Sequence, residues 1–200
     1  MSGRRKQATS DTKTEILDAA ALIMEEEGYA AVSSRRIAER AGMKSMPIHY
    51  HFGSMDELFL ALYRRFEKIY FDRLVKAMGS DSPLRGLWAL NRDPRDTGLI
   101  GEFLALANHR PAIRDEVARS GERVRAIETA IIAAALRNGD LEPGKLEPDV
   151  LAFVLAATCR TLLTERALGI DAAHDKVEAC VERLLDQLDP ARGTAAARQG

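Results

Sequence analysis

Apolar residues recur at the three-to-four spacing of amphipathic helices almost throughout this 200-residue chain. Period-two alternation bounded by Asn-Gly or Asp-Gly turns, the mark of half-buried strands, is almost absent. Ile16, Leu17, Ala20, Ile23 and Met24 share one face of a first helix, expected from about Ser10 to Glu27 and stopped by Gly28. Ser10 or Thr12 can cap it, and Glu15 stands three residues after Thr12 as a capping box requires. The preceding Arg4, Arg5 and Lys6 read as part of a flexible arm over residues 1–9. Two short helices follow, Ser34–Ala41 and about Met46–His51, then a long one from about Met55 to Met78. That long helix carries Leu58, Leu62, Phe66, Ile69 and Leu74 near one face.

Gly79-Ser80-Asp81-Ser82-Pro83 is a clear loop signal. Beyond it the pattern predicts short helices at Pro83–Asn91 and Thr97–Asn108, separated by Arg92-Asp93-Pro94, and a long one at about Ala112–Arg137. Asn138-Gly139-Asp140 and Glu142-Pro143-Gly144 make a second break before helices at about Pro148–Leu168 and Ala172–Leu188. Residues 191–200 read as a disordered tail. The expected architecture is all-α with about nine helices. A three-helix head spans residues 1–54, and a helical body spans 55–190.

The segment VSSRRIAERAGMKSMPIHYHF has the layout of a helix-turn-helix. Val32, Ile37, Ala38 and Ala41 point inward, and Gly42 stands where the chain must turn with a positive φ. Met43 covers the small core, and Ile48 and Phe52, four apart, seat the second helix on it. With Ser45 as N-cap, Pro47 falls in the first turn, where its missing N–H costs nothing. Ser45, Met46, His49 and Tyr50 are left facing outward, placed to enter a major groove. Lys44 before the cap favours a phosphate. Ser33-Ser34-Arg35-Arg36 opens the preceding helix, where hydroxyls and amides suit phosphate and Arg35 can reach a guanine edge or the backbone. The bland alternative is that Ser34 merely caps that helix and both arginines are solvated.

Charge adds little to this picture. The chain carries 29 Lys and Arg against 30 Asp and Glu. Up to Phe52 there are eight basic and seven acidic residues. The acids crowd onto the first helix and the bases onto the next two, so the expected DNA binding is specific and dimer-dependent, with modest nonspecific affinity. Two cysteines, Cys159 and Cys180, both in helical patterns, suggest neither a disulfide framework nor a zinc module. No signal peptide or membrane span is read, so a cytoplasmic location is expected.

From Ile16 to Leu62 the chain resembles the TetR family of transcriptional regulators. The resemblance rests on Gly28-Tyr29, Ile37-Ala38, Ala41-Gly42, the run Ile48-His49-Tyr50-His51-Phe52, and Glu57-Leu58, about a quarter of the chain. It implies a homodimeric repressor whose heads bind a palindromic operator in double-stranded DNA and are released by a small-molecule effector. The positions matching the family's DNA contacts are Ser34, Arg35, Lys44, Ser45, Met46, His49 and Tyr50, and Arg36 joins them from the residue reading. Three departures stand out. His49 replaces a common tyrosine, Met55 replaces a usual lysine, and Lys44-Ser45 reverses the usual order.

In the body, the last helix carries Val177, Cys180, Val181, Leu184, Leu185 and Leu188, and its predecessor Val150, Leu151, Val154, Leu155, Thr158, Leu162 and Leu163. Taken alone these seams serve equally as internal core or as a two-fold interface. The resemblance selects a dimer, with Leu151, Leu155, Leu162, Val177, Val181, Leu184 and Leu188 as the expected interface. Phe66, Tyr70, Trp88, Phe103, Leu106, His109 and Cys159 are the candidate lining of an effector cavity, with Glu102 a further polar group; solid core is their alternative role. Such a cavity suits a lipophilic or aromatic molecule. No cofactor, metal site or enzymatic constellation is read. His49 and His51 face different ways on a helix, and there is no glycine-rich phosphate loop or nucleophile elbow. The rival readings are a helical ligand-binding or interaction module without operator binding and, further off, an all-α enzyme.

Overall fold

The computed structural model describes residues 2–44, 46–138 and 147–188, with side chains for 11–44, 48–137 and 147–188. Among the described residues the regular structure is entirely helical. The helices are α1 (Ser2–Glu27), α2 (Ser34–Ala41), α3 (Met46–Phe52), α4 (Met55–Met78), α5 (Pro83–Asn91), α6 (Pro94–Ala107), α7 (Pro111–Asn138), α8 (Pro148–Ala167) and α9 (His174–Leu188). A single 3-10 turn, Tyr29–Ala31, follows α1. The all-α expectation holds. The expected tail, 191–200, and most of the break after Asn138 lie outside the described residues.

Several helix ends differ from the sequence reading, each for a local reason. α1 reaches back to Ser2 over the stretch expected to be a flexible arm, where Arg, Lys, Gln and Ala are good helix formers and no proline intervenes. α6 begins at Pro94 rather than Thr97, because proline suits a first helical turn and the Asp93 carboxylate accepts the Arg95 N–H at 3.0 Å. α9 begins at His174 rather than Ala172, because Ala173 takes a left-handed φ of 66°. Ile69 is 51% exposed, so the inward row of α4 passes through Phe66, Tyr70 and Leu74 instead.

The chain divides into two units. The first comprises Met1–Lys68 and Gly98–Arg119. Its core joins Ile16, Ala20, Ile23 and Met24 of α1 to Ile37, Ile48 and Phe52 of the short helices. Leu58, Phe59, Leu62 and Tyr63 of α4, Phe103 and Leu106 of α6, and Ile113 of α7 complete it. These later residues fill the head's core, which is why this unit extends past the boundary at residue 54 that the sequence suggests. The second unit comprises Ile69–Thr97 and Ser120–Gly200. Leu74, Leu84, Leu87, Trp88, Ile131, Ile132, Leu151, Leu155, Cys159, Leu162, Leu185 and Leu188 form its core.

Candidate functional site

The turn between α2 and α3 is built as the residues dictate. Gly42 adopts φ 64° and ψ 28°, and Met43 donates its N–H to the Ala38 carbonyl at 3.0 Å, ending α2 with a left-handed glycine. Ser33, not Ser34, caps the start of α2, accepting the Arg36 N–H at 3.3 Å. Ile37, Ala38, Ile48 and Phe52 are buried, which fixes the outward face by elimination. Pro47 is the second residue of α3, inside its first turn. Ser45 and the side chain of Met46 lie outside the described residues.

The outward face carries Arg35, Lys44, His49 and Tyr50. The Arg35 side chain is 90% exposed and Tyr50 is 82% exposed. Lys44 and His49 are exposed as well. Arg36 is half-exposed and also engaged within the chain. Its guanidinium donates two hydrogen bonds to Glu27, at 2.7 and 3.3 Å, and thereby holds that carboxyl below the usual range. Arg40 pairs likewise with Glu26 at 2.6 Å. The acids of α1 thus tie down two of the bases of α2, whereas Arg35 makes a looser 3.6 Å pair with the exposed Glu39 and, with the exposed Lys44, can turn to a phosphate. Ser34 donates its hydroxyl to the Met55 sulfur at 3.5 Å, a weak bond that closes the start of α4 over the start of α2.

Residues far along the sequence hold this head in place. Glu102 of α6 accepts the Tyr29 backbone N–H at 2.7 Å, so this candidate pocket group instead anchors the turn after α1. Arg110 pairs with Asp56 and lies over the Phe59 ring, 5.3 Å from its centroid. Arg64 and Arg119 both hydrogen-bond Glu116, which is held down to about 2 by those bonds. Of these pairs, only Glu116 with Arg119, three apart on α7, has a local signal in the sequence.

The candidate cavity residues separate into two groups. Phe66, Phe103 and Leu106 pack in the core of the first unit, with the Phe66 and Phe103 rings 6.0 Å apart. Tyr70, Trp88 and Cys159 belong to the core of the second unit, and His109 is exposed. Trp88 donates its indole N–H to Glu182 at 3.0 Å. Burial pushes the Cys159 thiol up to about 12, so it behaves as a small apolar side chain. Two polar residues of that core were not singled out from sequence. Asn91 accepts the Tyr70 hydroxyl at 3.2 Å and donates to Glu128 at 3.1 Å. Glu128 is 2% exposed, and burial holds its carboxyl above the usual range.

The expected interface needs correction on α8. Leu151, Leu155, Leu162 and, on α9, Leu188 are buried within one chain and fill the second core, so they have no surface to offer a partner. α8 is apolar on more than one side, and what it presents outward is Val150, Phe153 and Val154, at 52%, 62% and 49% exposure. Val177, Val181 and Leu184 of α9 are half-buried against the same core. Among the described residues no group of three His, Cys, Asp or Glu side chains is placed to hold a metal, and no helix is long and apolar enough to cross a membrane.

Residues 16–66 match the family of bacterial regulatory proteins, tetR family. The transcriptional regulator RutR of Escherichia coli (strain K12) is 29% identical over 165 residues, covering 78% of this chain and 76% of that protein. The transcriptional regulator TtgR of Pseudomonas putida is 26% identical over 206 residues, covering 92% and 95%. Among solved structures, a transcriptional regulator from Saccharomonospora viridis in complex with choline superposes with a TM-score of 0.72 at 25% identity, covering 80% of this chain and 87% of that one. The helix-turn-helix geometry and these likenesses agree: residues 16–66 match the tetR family of bacterial regulatory proteins, and the chain is similar over most of its length to helix-turn-helix transcriptional regulators.

Proposed function

We propose that this protein is a repressor that binds a palindromic operator as a homodimer and is released by a small, lipophilic or aromatic effector. The observation that carries the reading is the outward face of the turn. Arg35, His49 and Tyr50 stand exposed on two short helices, and Lys44 in the turn between them, with the inner residues of both helices fixed by burial. Arg35 and Lys44 meet phosphate, while His49 and Tyr50 read base edges, joined by Ser34, Ser45 and Met46 around them. Arg36 supports this face through Glu27 rather than contacting DNA.

Two half-sites need two heads in fixed relation, and a two-fold pair supplies them. The apolar stripe of Val150, Phe153 and Val154 on α8 supports pairing there, beside Val177, Val181 and Leu184 of α9. An effector site within the body is supported by the aromatic and polar residues of the second core, Tyr70, Trp88, Asn91, Glu128 and Cys159, and by the choline held by the Saccharomonospora viridis relative. The test is a footprint on DNA upstream of the protein's own gene and across a genomic selection, at near-physiological salt with nonspecific competitor. A protected two-fold site is expected. Failure to protect any such sequence overturns operator binding and favours the ligand-binding module without DNA.

A further inference from the structure

Glu128 of α7 is the least expected side chain of the second core. It is 2% exposed among apolar residues, yet it contributes nothing to the helix-turn-helix. Its Oε1 accepts from Asn91 of α5 at 3.1 Å, its Oε2 from Arg125 at 3.0 Å, and Asn91 accepts in turn from the Tyr70 hydroxyl of α4 at 3.2 Å. Three helices therefore meet on one buried polar strand. Among the described residues two hydrogen bonds reach a carboxylate that can accept about four. Burying such a group is costly unless it is paired, and an apolar side chain of similar volume would serve packing better.

The charged partner of Glu128 is not itself a core residue. The Arg125 side chain is 32% exposed and lies over the exposed ring of Phe153, 5.5 Å from its centroid. It enters from the solvent side, one turn back on the same helix, and has an aromatic face to rest on when it leaves the carboxylate. Tyr70, Trp88 and Cys159 share the core and supply an apolar surround. A neutral molecule replacing the guanidinium would leave the buried carboxylate with the weaker pull of Arg160, whereas a cation would restore the pair.

We infer that Glu128, with Asn91 and Tyr70, is the polar end of the effector site, and that it takes a small lipophilic monocation (a guanidinium, amidinium or ammonium on an apolar body) in place of Arg125. This deepens the effector-response reading above and rests on it.

The test is calorimetric binding to the full chain of phenylguanidinium and of its neutral isostere phenylurea, and of benzyltrimethylammonium with neopentylbenzene. At least one cation is expected to bind about tenfold or more tightly than its isostere, a difference of about 1.4 kcal/mol. In Glu128→Gln, which keeps the shape and the Asn91 bond, that preference should fall to about onefold. In Arg125→Met the cation should bind several-fold more tightly, because its competitor is gone. Equal binding of cation and isostere, or a preference that survives Glu128→Gln, overturns the assignment. Tight binding of both members of a pair would leave an effector site standing but not this one. Operator protection is read separately, so its failure is not confused with failure here.

Discussion

Glu102 and Tyr29, 73 positions apart, are joined by a 2.7 Å hydrogen bond from the Tyr29 backbone N–H to the Glu102 carboxylate. The bond lies beside Gly28, whose φ of 84° and ψ of 165° belong to a region open almost only to glycine. A Cβ at Gly28 would come within 3.4 Å of Glu102 Oε2. A residue on α6 thus closes the turn that leads into the helix-turn-helix.

Glu102→Ala should therefore destabilise the protein by about 1–3 kcal/mol, since it strands a backbone donor. Glu102→Gln, which keeps an acceptor oxygen, should cost less than half of that. Gly28→Ala should cost about 1–3 kcal/mol from backbone conformation alone. Urea unfolding gives the energies, and hydrogen exchange at the Tyr29 amide reports the bond directly. Unchanged protection of that amide in Glu102→Ala would show that the bond is not what holds the turn.

Gly42 poses the contrasting case. Its φ of 64° also requires a left-handed conformation, but a Cβ there would meet nothing within 4 Å. Gly42→Ala should cost only the backbone preference, about 1–2 kcal/mol. Gly42→Asn should recover part of it, because asparagine tolerates this region. Thermal unfolding of the two variants checks the order.

The legible parts of this molecule are those governed by local rules. Gly42, Pro47 and the four-residue step from Ile48 to Phe52 locate α2, α3 and their inner faces without any tertiary information. The bounds of α4 follow from the same periodicity. Failures arise where a distant side chain decides. Nothing near Arg36 in sequence marks Glu27 as its partner, so its hydrogen bonds to α1 are invisible there. Leu155 and Phe153 are both apolar positions on α8, and periodicity cannot say which faces its own core. The burial of Glu128 depends on Asn91 and Tyr70, which approach it from other helices.

Acid should release the brace on Glu116. Its carboxyl sits at about 2 against an ordinary 4.5, because Arg64 and Arg119 hydrogen-bond the ionised form. A depressed value in the folded state stabilises the fold fully above the ordinary carboxylate range. That contribution drains away as pH falls from about 4.5 towards 2. Both arginines are more than half exposed, so solvent screening reduces the effect to about 1–2 kcal/mol. Glu116→Gln should be less stable than the parent at pH 6 and equal to it near pH 2, read by urea unfolding at both values. A gap that persists at low pH would assign the effect to packing.

On DNA, Arg35 and Lys44 should behave unlike Arg36. Alanine at either exposed residue should weaken operator binding and lower the slope of log affinity against log salt by about one. Arg36→Ala should leave that slope unchanged and instead lower the melting temperature, because its guanidinium serves Glu27. Titrations at several salt concentrations, with melting curves on the same samples, separate the two roles. A reduced slope in Arg36→Ala would return it to the DNA-contacting set.

The two sides of α8 give the last separation. Phe153 is 62% exposed, whereas Leu155 is 4% exposed and belongs to the core of its own chain. If the Val150, Phe153 and Val154 stripe is the dimer seam, Phe153→Asp places a charge where two apolar faces meet and should yield folded monomers. Leu155→Ala instead removes core volume and should cost about 2–5 kcal/mol of stability, with the protein still dimeric while folded. Sedimentation velocity gives the oligomeric state, and circular dichroism shows whether the helices persist. The operator footprint should vanish for Phe153→Asp despite intact heads, because a single head spans only one half-site. A Phe153→Asp protein that stays dimeric would move the seam off this face of α8, and Val177, Val181 and Leu184 of α9 would be the next positions to test.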